Sequence, residues 1–511
     1  MEASTLVAFV IYFIALILIG LHFWKKKEDS LEDYILGRRS LGPYVSAMSA
    51  QASDMSGWLL MGLPGSIVMA GLGQVWIGVG LLIGSYCSWL FVAKRLRKHS
   101  FVSKNALTMP EFFSNRFGDE KGLIRFVCAI VILFFFTIYV ASGFKSCGTV
   151  LSVLIPDMGM TLGILIGGIV IILYTFLGGY KAVCWTDFFQ AILMVCVIVF
   201  VPLAAIGDFG WDNLTAGWDS IGIEGYINPL FNNGTPISAI VLISGLAWGF
   251  GYFGMPHIVV RYMSIRRVDE IKVARRVSLV WGILALGFVS LLAVIAGVYI
   301  PEHGIQIVDP THGGSLGAAT GLTVNNEEVF IKMAELLFSP FVLGIVFADI
   351  LSAVMSTASS QLLVSASSIT NDILRRSKKV DLSDAKLTWI SRGIVVAISI
   401  LGMVIAFSGS NNIMGLVSYA WAGFGSAFSP VMILALFWKR MNIKGALASI
   451  VTGFAVVVFW ETFMGFTGLY SLFPGFVISL IVGIVVALLT EPPSQEALDE
   501  FDAAQAYKDP E

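Results

Sequence analysis

The sequence predicts an all-α polytopic membrane protein with 13 transmembrane helices. Three observations carry this expectation. Of 511 residues, 57% are hydrophobic and only 13% are charged, about half the charge of a soluble chain of this size. Apolar runs of about 20 residues, the length that crosses a hydrocarbon core, recur from one end to the other. The basic residues are also sorted into alternate connecting segments, as the two faces of a membrane require.

The first run, Thr5 to Trp24, has no basic segment before it and no small-residue cleavage site after it. Lys25-Lys26-Lys27 follows directly, so 4–24 reads as a retained span. Further spans are expected at 43–70, 73–93, 125–151, 160–180 and 183–206. The second half continues with 236–258, 277–300, 334–368, 389–408 and 412–437. The last two are 443–465 and 470–490. The stretches 95–124, 207–235 and 301–333 are too short to bury a core of their own. The acidic tail 491–511 reads as a loosely held extension. The five cysteines form no CxxC pair and read as packing residues.

One set of connectors holds Lys25–Lys27, Arg38 and Arg39, Lys94 to Lys98, Lys181, Arg261 to Arg276, Arg375 to Lys386 and Lys439 to Lys444. Lys145 and Lys332 are the exceptions to this sorting. The opposite set includes 207–235, with Asp208, Asp212, Asp219 and Glu224 and no basic residue. By the positive-inside rule the N-terminus is outside and the C-terminus cytoplasmic, which an odd number of spans requires.

Two spans are composed to break. In QASDMSGWLLMGLPG (51–65), Ser53, Ser56 and Gly57 crowd around Asp54, a carboxylate that costs about 2.5–3.5 kcal/mol at the centre of a spanning helix. In SGLAWGFGYFGMPHIVVR (244–261), four glycines and Pro256 interrupt one span. These are the second and seventh spans, and a shift of five helices reverses orientation. They therefore open two oppositely oriented five-helix units, 43–206 and 236–437. Paired interrupted spans in inverted halves point to a carrier with its site near the midplane. The plainer reading is close helix approach at glycine.

A broken helix exposes backbone carbonyls, and Ala52-Ser-Asp-Met55 offers such a turn. Ala353, Ser356 and Thr357 stand at i, i+3 and i+4 on the ninth span, so one carbonyl and two hydroxyls share a face. Oxygens with little formal charge suit a monovalent cation better than calcium. The alternative is that these hydroxyls bond back along their own helix. Asp187 is either a helix-start carboxylate favoured by the helix dipole or a station on a cation path. Asp349, one turn before Ala353, is a further candidate for that path. Trp248 and Tyr252, at i and i+4 with Pro256 a turn beyond, offer one wall of a small-solute pocket, to which Tyr139 could add a hydroxyl. Neither a GxxxxGK[ST] phosphate loop nor an HExxH pattern occurs. A gradient-driven carrier is expected, not an enzyme or a nucleotide-driven pump.

The stretches EDYILGRRSLGPY (32–44), ASDMSGWLLMGLPG (52–65), FFTIYVASG (135–143), ILYTFLGGYKAVCWTD (172–187), WGFGYFGMPHIVVRYM (248–263), AVMSTASSQLLV (353–364) and LVSYAWAGFGSAFSP (416–430) closely resemble the sodium/solute symporter family, most of all its proline-transporting branch. The resemblance implies a leucine-transporter-type fold: two inverted five-helix repeats, with 4–24 before them and the two helices of 443–490 after. It implies sodium-coupled symport of L-proline across the plasma (inner) membrane. Sodium, L-proline and the lipid bilayer are then the partners, with no protein partner evident. Matched residue by residue, the sodium site falls on Ala52, Met55, Ala353, Ser356 and Thr357. Asp54, Ser56 and Gly57 fall on positions of ion and substrate coupling, and Asp187 on an inner cation-exit carboxylate. Trp58, Tyr139, Trp248, Tyr252 and Pro256 fall on the substrate pocket, and Arg39 on a cytoplasmic-side arginine needed for transport. Met255 departs from a glutamine at that position. The oxygen count favours Asp54 beside the ion cage over Asp54 as a direct ligand. Alternatives are uptake of another small carboxylate, such as pantothenate or a sugar acid, and distantly a transporter-like membrane sensor.

Overall fold

A computed structural model describes residues 3–25, 30–177, 179–375, 382–408 and 412–509. Helices follow one another along nearly the whole chain. Among the described residues, ten are long and apolar enough to cross a membrane, and the bent pair Ala239–Phe253 and Pro256–Ser264 makes an eleventh. The expected spans 4–24 and 43–70 fall outside that count. The first contributes the helix Ala3–Lys25, whose apolar stretch Ala3–Ile19 is shorter. The second is divided into Pro43–Asp54, Trp58–Gly62 and Leu63–Ala70.

Both interrupted spans are broken where their composition says. Pro43–Asp54 ends at Met55, whose φ of −84° and ψ of 80° leave the helical range. The seventh span bends by 44°. Its first half tightens into a 3-10 segment, Trp248–Phe253, and Met255 turns extended at ψ 114° before Pro256 restarts the helix. Proline forces this, because its ring excludes the preceding residue from helical conformation and it has no N–H to give. The glycines serve a second purpose here. A Cβ on Gly84 would stand 2.2 Å from the Gly249 carbonyl oxygen, and one on Gly249 would stand 2.3 Å from that of Gly80. The helix Val75–Cys87 and the 3-10 segment therefore meet backbone to backbone.

Two long helices organise the interior. Pro340–Ile369 packs on Leu123–Leu154, Ala3–Lys25, Tyr180–Phe209 and Pro43–Asp54. Ile413–Phe437 lies against the 3-10 segment and Leu123–Leu154 and is largely buried. Several boundaries differ from the sequence expectation. The ninth span begins at Pro340, not 334; residues 329–337 form a separate helix that ends at an extended Phe338. The third helix does not stop at Ala93 but continues through the basic run to Val102, because lysine and arginine are good helix formers. The chain is also not wholly helical: a short hairpin pairs 231–232 with 235–236, and a three-stranded sheet joins 306–308, 315–316 and 323–325. Both lie in connectors, where backbone polar groups must find partners. Of the cysteines, Cys128, Cys147 and Cys184 are buried, but Cys196 is exposed.

The tail departs most from expectation. Residues Gln495–Ala506 form a helix capped by Ser494 that docks on Lys94–Val102. Phe501 is 3% exposed, its ring 5.1 Å from His99 and 4.6 Å from the Arg116 guanidinium. Lys439 pairs with Asp502 at 2.5 Å, and Asp509 accepts the Val268 N–H at 2.5 Å. A period of about 3.6 residues places Ala497, Phe501 and Ala504 on one buried face. Phe501→Ala is expected to undock this helix, lowering the unfolding temperature in detergent and speeding proteolytic cleavage within 495–506. Cleavage at the wild-type rate would show that the ring does not hold it.

Candidate ion and solute site

The break in the second span redirects its hydrogen bonds. In an unbroken helix the Ala52 carbonyl would accept from Ser56 and the Met55 carbonyl from Leu59. Instead the Ser56 N–H turns to the Asp54 oxygen at 3.1 Å and the Leu59 N–H to the Ser56 oxygen at 3.0 Å. Both carbonyls leave the helical ladder. The Ala52 oxygen is met by hydroxyls of the helix Pro340–Ile369: Ser356 Oγ donates to it at 2.7 Å and Thr357 Oγ1 at 3.3 Å. The same hydroxyls stand 3.1 Å from the Ala353 carbonyl. Back-bonding along the helix and contact across to the break are thus one arrangement. Ala52, Ala353, Ser356 and Thr357 come together, and Met55 shares the break.

Asp54, Ser56 and Gly57 are all buried in this turn. Asp54 points away from the two hydroxyls: its Oδ2 accepts the phenolic O–H of Tyr252, and its Oδ1 has no hydrogen-bond partner. Its carbonyl accepts from Trp58 Nε1 at 3.1 Å and Tyr139 Oη at 3.4 Å. A Cβ on Gly57 would lie 2.3 Å from Ser146 Oγ, so glycine lets the break seat against Leu123–Leu154.

Around Asp54 the aromatic residues gather. The Trp58 and Trp248 rings are 6.1 Å apart, and Tyr252 and Tyr139 reach Asp54 from two other helices. Trp421 and Tyr470 complete the group: Trp248 stacks on Tyr470 at 5.0 Å, and Trp421 Nε1 donates to the Trp248 carbonyl at 2.8 Å. One and two turns beyond Trp58, Gly62 and Ser66 border a polar cavity of about 610 Å³ with Gln74, Glu327 and Asn412. Pro256 lies elsewhere, lining a small cavity with Tyr180, Arg261 and Ser360.

Asp187 is not a helix-start residue. It is the eighth residue of Tyr180–Phe209 and wholly buried, too far in for the helix end to act on it. Its Oδ2 accepts from Ser49 Oγ at 2.7 Å and Arg261 Nη2 at 3.1 Å. Arg261 also donates to Ser49 Oγ at 3.1 Å, Ser360 Oγ at 2.5 Å and the His257 carbonyl at 2.6 Å. The sequence pattern puts Arg261 in a cytoplasmic connector, but the residue is 1% exposed within the helix Pro256–Ser264. Arg39 stands apart from both groups. It donates to the carbonyls of Met263 and Ala106, each at 2.7 Å, and to Asn105 Oδ1 at 2.9 Å, tying its own connector to the one at 105–106 and to the end of the helix Pro256–Ser264.

The description Sodium:solute symporter family matches residues 34–453. The chain belongs to this family. It is 43% identical over 494 residues to the high-affinity proline transporter PutP of Bacillus subtilis, covering 96% of this chain and 99% of that one. It is 40% identical over 505 residues to the sodium/proline symporter of Escherichia coli, covering 98% and 96%. A solved Na+-coupled sialic acid symporter in its outward-open state superposes with a TM-score of 0.79 at 18% identity, covering 97% of this chain and 99% of that one. This likeness establishes a shared helical fold.

Three residues of the site are not marked out as such by the sequence pattern. Trp421 lies within LVSYAWAGFGSAFSP, a stretch already marked by the resemblance, so its signal was present. Tyr470 sits at the mouth of a late span with nothing local to single it out. Arg261 carried a misleading signal, since a basic residue beside a positively charged loop reads as part of it. Losing one partner of a buried ion pair leaves an uncompensated charge. Arg261→Met is therefore expected to destabilise the protein by about 3–5 kcal/mol, and adding Asp187→Leu to recover most of that loss. Thermal unfolding in detergent checks both, and a double variant no more stable than the single would refute the pairing.

Proposed function

We propose that the chain is a secondary active transporter that couples inward sodium movement to uptake of L-proline by alternating access. The observation that carries this reading is the Ala52 carbonyl, freed by the break and held at 2.7 Å by Ser356 of another helix, two residues along the chain from Asp54, which Tyr252 and Tyr139 reach. In the proposal sodium takes the carbonyls of Ala52, Met55 and Ala353 with the hydroxyls of Ser356 and Thr357. Neutral oxygens with little formal charge fit a monovalent ion. Proline sits among Trp58, Tyr139, Trp248 and Tyr252, its apolar ring against indole faces and its ammonium toward Asp54. Asp54 then belongs to the solute side and links the two sites through its backbone.

The same reading includes 13 spans, two inverted five-helix repeats at 43–206 and 236–437, an outside N-terminus and a cytoplasmic C-terminus. Asp187, paired with Arg261, is the station through which sodium leaves inward, and Arg39 holds the cytoplasmic connectors in register. Pro256 contributes by bending its span. Coupling requires sodium to favour the solute-accepting state, by about 1–3 kcal/mol in systems of this kind, and proline must in return tighten sodium. The protein acts by transport, without covalent chemistry.

Proteoliposomes test this directly. Labelled proline should accumulate only with an inward sodium gradient and should be displaced by unlabelled proline, not by pantothenate or sugar acids; uptake indifferent to sodium would sink the proposal. Thr357→Ala, which removes one cage oxygen, is expected to raise the sodium concentration for half-maximal uptake about tenfold or more, a loss of about 1.4 kcal/mol or more. Apparent proline affinity should fall in parallel. An unchanged sodium dependence would take Thr357 out of the site.

A further inference from the structure

The helices Ile443–Phe463 and Leu472–Leu489 lie outside the paired five-helix units of the proposed function, and a short turn joins them. That turn is pinned at both ends. Trp460 Nε1 donates to the Leu469 carbonyl at 3.0 Å, and Ser471 Oγ donates to Glu461 Oε1 at 2.5 Å. Tyr470, between the two, is bonded to two further helices. Its N–H donates to Ser244 Oγ of Ala239–Ala247 at 3.0 Å, and its hydroxyl donates to the Ser418 carbonyl of Ile413–Phe437 at 2.7 Å. Bonds at the backbone and at the far end of the side chain leave the ring little rotamer freedom.

The ring lies against Trp248. Their centroids are 5.0 Å apart and their planes 19° from parallel. Trp421 and Trp58 stand farther from the same indole, at 6.3 Å and 6.1 Å, with planes 26° and 34° away. Stacked rings hold one another beyond what burial alone contributes. Trp421 meanwhile holds the Trp248 carbonyl at 2.8 Å, so one helix fixes the backbone at Trp248 and the turn fixes its indole. Ser418 also borders the polar cavity of about 610 Å³, and Tyr470 is within electrostatic reach of Tyr139. Tyr470 therefore stands where that cavity meets the aromatic group.

We infer that Tyr470 is a positioning residue for the solute: by fixing the plane of the Trp248 indole it sets the width of the solute site, and with it the size of ring the protein accepts. This role rests on the reading that places proline against Trp248. An apolar wall tells apart solutes that differ by one methylene only while it holds its place. Proline and pipecolate, its homologue with a six-membered ring, differ by one methylene and carry the same carboxylate and ammonium. The pair therefore probes the wall and not the polar contacts. In this arrangement the helix pair that follows the repeats takes a direct part in solute selection.

Full-length protein in proteoliposomes with an inward sodium gradient tests this. The measured quantity is the excess of unlabelled pipecolate over unlabelled proline needed to halve uptake of labelled proline. In Tyr470→Ala and Tyr470→Leu that excess is expected to fall about tenfold, the discrimination one methylene supplies in such a pocket. The loss for proline itself should fall on KM, with kcat nearly unchanged. Leucine keeps apolar bulk without a flat face, so it reports on the stack even where the alanine variant does not fold. Tyr470→Phe keeps the ring and the bond to Ser244, and should hold the excess within about twofold of wild type. A merely structural role would lower the yield or the rate and leave the excess as it was. An unchanged excess in the leucine and alanine variants would overturn the role of Tyr470, and so would a phenylalanine variant as permissive as the leucine one. Wild type that takes up proline with sodium but gives either of those results leaves the proposed function standing. Wild type without sodium-dependent proline uptake fails the proposed function, and the role of Tyr470 with it.

Discussion

The structure turns on one unmade helical hydrogen bond. Where the Ser56 N–H abandons the Ala52 carbonyl, a backbone oxygen stands free in the interior of a membrane protein. Such a group costs several kcal/mol unless another part of the protein meets it. Ser356 and Thr357 do so from a helix some 300 residues away in sequence, which fixes how the second and ninth spans lie against each other. The rest of the interior follows that pairing. Gly57 must be small so that the break can seat on Ser146, and Pro43–Asp54 must pack along Tyr180–Phe209 and Pro256–Ser264.

Buried charge is handled in two ways. Asp187 is neutralised within the protein by Arg261, and the remaining donors of that guanidinium are taken up by Ser49, Ser360 and a carbonyl. Asp54 and Asp349 have no such partner and retain unsatisfied oxygens. A protein whose only concern was stability would replace both with apolar residues at little loss. Retaining them makes sense where a mobile charge visits, and both flank the oxygens assigned to sodium in the proposed function. The aromatic group gathers around Asp54. Its indoles stack on one another and on Tyr470, so the wall is stiff before anything binds.

The connectors are more ordered than their composition suggests. The helix Gln495–Ala506 joins the basic end of one span to the loop at Lys439, and Asp509 just beyond it reaches the segment near Val268. Arg39 similarly gathers Met263, Ala106 and Asn105. Apolar anchors such as Phe501 are isolated among polar residues and are hard to see in a sequence. A helix twelve residues long with one apolar stripe resembles a solvated tail until its partner surface is known.

Hydrophobic length, charge sorting and the clustering of glycine and proline are local properties, and by themselves they determined the membrane class, the interruption of the spans within 51–65 and 244–261, and the shared face of Ala353, Ser356 and Thr357. Those features depend on solvent and on backbone geometry within a turn or two, which a single strand of sequence carries. Only the tertiary structure decided that Asp54 faces Tyr252 and not the hydroxyls, that Arg261 is buried on Asp187, and that Trp421 and Tyr470 close the aromatic wall. Each depends on which helix lies opposite. That is settled by the packing of whole helices, where the energy of a contact belongs to two distant segments at once and leaves no mark on either alone.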